Sequence, residues 1–127
     1  MARPAARPRH RMSDALQALR KTLREFARER DWEQFHTPKN LATALSVEAA
    51  ELLEHFQWLT DEQSRSLDDA KRTAVGEEIA DVLLYLLQLA DKLDIELLQA
   101  AERKLRLNAE KYPAERARGR SDKYNEL

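Results

Sequence analysis

Apolar residues recur along this chain at three- and four-residue intervals, over stretches long enough for four helices. Ser13 is placed to cap the first, which runs to about Arg30 with Leu16, Leu19, Leu23, Phe26 and Ala27 on one stripe. An aromatic and polar break follows, Asp31-Trp32-Glu33-Gln34-Phe35-His36. Thr37-Pro38 then opens a second helix, a hydroxyl cap before proline at the first helical position, and this helix should reach about Phe56. From Trp58 to Leu67 the chain is mostly polar and reads as a loop with room for one helical turn. A third helix is expected from about Asp68 to Leu93, with Ile79, Val82, Leu83, Leu86, Leu87 and Ala90 at helical spacing. Asp94 can cap a fourth, from Ile95 to about Tyr112, where Pro113 stops it. The charged remainder, Ala114–Leu127, reads as irregular.

Four helices with short connections predict an all-α fold of the four-helix-bundle type. The apolar stripes are generous for so few helices, so burial should be completed by a second subunit, in a homo-oligomer that is a dimer or a tetramer. Residues 13–127 read as a single domain, with no internal repeat. Residues 1–12 read as a disordered basic tail, because Met1–Arg11 holds two prolines, four arginines and no acidic residue. That tail is either an extension ahead of a start at Met12 or a binding element for an acidic partner.

Composition narrows the function classes. With 2 glycines and 4 prolines among 127 residues, 43% hydrophobic and 35% charged, the chain is made of helix formers, and strands are not expected. The absence of cysteine excludes disulfides, thiolate zinc sites and thiol nucleophiles, and is compatible with a cytoplasmic home. No apolar run approaches the ~20 residues of a membrane span, and no h-region follows the N-terminal arginines. With 22 basic against 23 acidic residues, stable nucleic-acid binding is not expected.

The carboxylates carry the chemistry. At ~100° per residue, Leu41, Ala44, Leu45 and Leu52 all fall within roughly 60° of Glu48, so Glu48 sits inside the apolar stripe, with Glu51 at its edge. Glu78 and Asp81 repeat the three-residue spacing on the third helix, flanked by Val75, Val82 and Leu86, with Tyr85 one turn beyond Asp81. A single E-x-x-E on a charged helix is ordinarily a solvated face. Two pairs bordering apolar stripes on adjacent helices are rarer, and burying ionised carboxylates without partners costs several kcal/mol. Cationic neighbours or a divalent metal would relieve that cost. An oxygen-only donor set favours magnesium, with manganese as an alternative, and magnesium is commonly shared with substrate phosphates. A carboxylate-bridged di-iron bundle wants two E-x-x-H motifs on helices; the one match, Glu33–His36, lies in the break.

Glu48-Ala-Ala-Glu51 and Glu78-Ile-Ala-Asp81 also carry a family resemblance, as do the segments 26–36, Phe56-Gln57-Trp58, Asp81-Val82-Leu83-Leu84-Tyr85-Leu86 and Lys123-Tyr124-Asn125-Glu126-Leu127. From about Leu16 to the end, the chain resembles the all-α nucleotide pyrophosphohydrolases of the MazG-like superfamily, especially the dCTP pyrophosphatase branch. The resemblance implies magnesium-dependent hydrolysis of a (deoxy)nucleoside triphosphate, dCTP or a modified dCTP, to monophosphate and pyrophosphate. It implies that Glu48, Glu51, Glu78 and Asp81 hold the metal, and that Trp32, Gln34, Phe35, His36, Trp58 and Tyr85 hold the base. Lys104, Asn108 and Lys111, on one face of the fourth helix, match the family's phosphate-side pattern. One departure stands out: Leu23 occupies the position of a histidine in the dCTP-preferring animal enzymes, so a polar contact has become apolar. Glu51 is a candidate general base. Two alternatives remain: the same chemistry on dUTP, a purine or an oxidised nucleotide, and a non-catalytic helical interaction protein.

Overall fold

The computed structural model describes residues 9–127; among these are six α-helices, two single 3₁₀ turns and no strand. The helices are α1 (Arg9–Glu29), α2 (Pro38–Glu54), α3 (Asp61–Ser64), α4 (Asp69–Lys92), α5 (Leu97–Lys111) and α6 (Ala114–Ala117). The four long ones are the four the periodicity predicts. No helix among the described residues is long and apolar enough to cross a membrane.

Side chains set most starts, Thr37 among them as the sequence marks it. The Thr37 side chain accepts from the Asn40 N–H at the start of α2, with Pro38 at the first position. Asp68 accepts from the Lys71 N–H ahead of α4. Thr60 and Gln63 form a reciprocal capping box around α3, the single turn expected in the loop.

Three boundaries differ from expectation. α1 begins at Arg9 rather than behind a Ser13 cap, because Arg9, Arg11 and Met12 are good helix formers and a serine interrupts them only weakly. The tail expected over residues 1–12 lies outside the described residues as far as residue 8. α5 is capped by Glu96, whose carboxylate accepts from the Gln99 N–H, whereas Asp94 takes a left-handed φ of 54° just after α4. The C-terminal stretch expected to be irregular holds α6 and a 3₁₀ turn, Tyr124–Glu126.

The chain divides into two compact units, one ending at Asp94 and one spanning Ile95–Leu127. In the first, α4 packs against both α2 and α1. Its buried apolar residues are Ala27, Leu41, Val75, Leu87 and Ala90. That is a small core for three helices, and Val47, Leu53, Ile79 and Leu83 on α2 and α4 stay exposed.

A bidentate ion pair ties α1 to α4: Arg24 Nε donates to Asp91 Oδ2 at 2.7 Å, and Nη2 to Oδ1 more closely. The hydrogen bond and charge of Arg24 hold the Asp91 carboxyl below its ordinary range. Arg24 is half-exposed, so solvent screens the pair. Asp91→Ala is expected to cost about 1 kcal/mol, read as a drop of a few degrees in melting temperature.

Candidate active site

α2 and α4 bring the carboxylates together. One oxygen each from Glu48, Glu78 and Asp81 lies within 4.8 Å of the others. Glu51, one turn along α2, is outside that set but close enough to Glu48 to act on its charge. Glu48 and Glu78 are half-buried, and the Oε2 atom of each is enclosed with no hydrogen-bond partner.

Burial is the first cause that pushes the Glu48 carboxyl up to about 7 from 4.5. Glu51, by hydrogen bond and charge, and then Asp81 and Glu78 push it the same way. An enclosed oxygen without a donor is expensive unless a shared proton or a cation meets it. The donors are all hard oxygens, which suits a divalent cation such as magnesium or manganese.

The shift has a stability consequence. In the folded state Glu48 holds its proton between pH 4.5 and about 7, where the unfolded chain has released it. Its contribution to stability is therefore full below 4.5 and is lost as pH rises through about 7. In chelator, the melting temperature should fall as pH is raised across this window. Added metal displaces the proton and should flatten or reverse the slope.

Next to Asp81 lies a cavity of about 390 Å³, walled by Leu19, Leu23 and Phe26 of α1, Trp32 and His36 of the break, and Leu84, Tyr85 and Gln88 of α4, with Thr22. The break is shaped by the end of α1. Asp31 adopts a left-handed φ of 54°, the Trp32 N–H returns to the Ala27 carbonyl at 2.9 Å, and the Asp31 N–H to Arg28 at 3.1 Å. This is a Schellman ending, with Asp where glycine is usual. It folds Trp32 back edge-on to Phe26, ring centroids 5.7 Å apart, and His36 edge-on to Trp32 at 6.4 Å. Burial, then the charge of Lys92, lowers the His36 pKa, while Glu33 opposes them, so the imidazole is neutral at pH 7.

The other predicted contacts are not among the residues that wall this cavity. The Gln34 amide donates to the Asp31 carbonyl at 3.0 Å and its carboxylate at 3.1 Å, bracing the break. The Phe35 carbonyl accepts from the Asn40 amide at 2.9 Å while its ring is exposed. Trp58 is 86% exposed and is not among the cavity walls. Lys104, Asn108 and Lys111 stand on α5 in the second unit, where the Lys111 ammonium lies 5.0 Å from the Tyr124 ring centroid.

Sequence reasoning did not single out Leu19, Thr22, Phe26, Leu84 or Gln88 as walls of a site. Gln88 was within reach of it: Asp81, Tyr85 and Gln88 fall at i, i+4 and i+7 on one face of α4.

Comparison with known proteins fits this arrangement. The profile of the MazG-like family matches residues 43–127, which hold all four carboxylates. Mouse dCTP pyrophosphatase 1 is 43% identical over 126 residues, spanning 97% of this chain and 74% of that protein. The human protein of the same name is 46% identical over 114 residues, 88% and 67% of the two chains. The crystal structure of a pyrophosphatase from Archaeoglobus fulgidus superposes with a TM-score of 0.69 at 39% identity, covering 89% of this chain and 99% of that one.

Proposed function

Because this chain belongs to the MazG-like family, we propose that its cavity takes a cytosine nucleotide and its carboxylate cluster a magnesium ion. The chain is a nucleoside triphosphate pyrophosphohydrolase: water cleaves the α–β phosphoanhydride, giving the monophosphate and pyrophosphate. The single observation behind the metal assignment is the pair of enclosed, donorless oxygens on Glu48 and Glu78 beside Asp81.

Glu48, Glu78 and Asp81 would hold the ion, with Glu51 adjoining. Bound there, magnesium supplies charge neutralisation for the triphosphate and lowers the pKa of water. Glu51, which adjoins these carboxylates and acts on the charge of Glu48, would accept the proton of the attacking water. Trp32 and Tyr85 wall the cavity and would stack on the base, and the neutral His36 can both donate and accept beside it. Leu19, Leu23 and Phe26 add apolar wall that excludes water. Lys104, Asn108 and Lys111 are proposed to meet the phosphates, and Gln34, Phe35 and Trp58 to complete the base site. Release of pyrophosphate and monophosphate from dCTP, with magnesium and with chelator, tests this reading; metal-independent cleavage or none would overturn it.

We also propose a cytoplasmic homo-oligomer, in which a second copy covers the exposed Val47, Leu53, Ile79 and Leu83. A monomeric mass in solution at micromolar concentration would contradict this.

A further inference from the structure

One polar group in the base cavity has no part in the carboxylate signature or the aromatic break. Gln88 is half-buried and walls the same cavity as Asp81 and Tyr85. Seven residues along α4 set it about 10 Å from Asp81 along the helix axis. That span is comparable with the reach from a nucleotide's phosphates to the far edge of its base.

The Gln88 amide nitrogen donates to the Leu84 carbonyl at 3.2 Å. A backbone carbonyl can only accept, so this bond decides which way the amide faces: nitrogen toward the helix, with Oε1 left as acceptor. Leu19, Leu23 and Leu84 are apolar, the Trp32 indole can only donate, and the Thr22 hydroxyl, its hydrogen given to the Ala18 carbonyl at 3.1 Å, keeps acceptor capacity alone and so also disfavours a base carbonyl.

We propose that Gln88 is a specificity-determining residue, whose Oε1 accepts a hydrogen bond from an exocyclic amine of the base. The cavity then favours an amino base over the matching oxo base, because a base carbonyl there would set two acceptors face to face. The inference rests on the nucleotide reading given under Proposed function and adds to it the group that selects the base.

The test is kcat/KM for dCTP and for dUTP, which differ at the exocyclic position, measured with magnesium on the unsubstituted chain, Gln88→Leu and Gln88→Met. Leucine removes the acceptor and keeps apolar bulk; methionine keeps the unbranched shape if leucine disturbs folding. The unsubstituted chain should prefer dCTP, and the dCTP:dUTP ratio should fall about tenfold or more in the variants. A purely structural role would slow both substrates alike and leave the ratio unchanged, and that result would overturn the proposal while leaving the pyrophosphohydrolase standing. No hydrolysis of any triphosphate by the unsubstituted chain would overturn both.

Discussion

Glu48→Gln is expected to lower turnover by about 10³-fold or more while raising the melting temperature of the metal-free protein. The two effects share one cause. Glu48 stands where burial and three neighbouring carboxylates oppose its charge, which is why its carboxyl is pushed up to about 7. An amide of the same shape carries no charge to desolvate and can donate to Glu51 or Glu78. The enclosed Glu78 Oε2 then gains the donor it lacks. The same exchange removes an anionic ligand from a set suited to a divalent cation, so metal binding and the electrostatic help it gives the triphosphate are lost. Thermal melts in chelator, melts in magnesium and pyrophosphate release together check this. An inactive but less stable variant would mean that Glu48 has a structural role; an active one would remove it from the metal site.

Trp32→Ala should raise KM for the nucleotide by roughly 10- to 100-fold, in proportion to the 1–3 kcal/mol that stacking on an aromatic face typically contributes. With the chemistry proposed at the carboxylates, kcat should change far less. Trp32 is 44% exposed and held by backbone bonds of the α1 ending, which its truncation leaves in place. The fold should therefore survive, with near-unchanged helical circular dichroism. A large fall in kcat at constant KM would place Trp32 in the transition state rather than in base binding.

The helices were legible from their apolar periodicity, and the start of α2 also from a local cap, since Thr37 and Pro38 act within three residues. The Thr60–Gln63 box and the Asp68 cap are equally local but were found in the structure. Glu48 was legible for a different reason. Its position within an apolar stripe is a property of one helix wheel, and its enclosure follows from that stripe being buried. What the sequence could not show was pairing across elements. The Arg24–Asp91 bridge joins residues 67 apart, and neither partner carries a local sign of the other. The cavity is likewise made by α1, the break and α4 together. Trp32 and His36 stood out in the D-W-E-Q-F-H stretch and Tyr85 one turn beyond Asp81, while Thr22, Phe26 and Leu84 look like any helix residues. The misplaced caps, Ser13 and Asp94, were matched by residue type alone, where neighbouring helix formers or a nearby carboxylate decided the boundary.

Pyrophosphate release from a panel of nucleoside triphosphates, each with magnesium and with chelator, tests the central claim most directly. Metal-dependent cleavage to monophosphate and pyrophosphate, favouring cytosine nucleotides, is the predicted result. Cleavage that persists in chelator, or folded protein that cleaves no triphosphate, would contradict the assignment of the clustered carboxylates to a metal-dependent pyrophosphohydrolase.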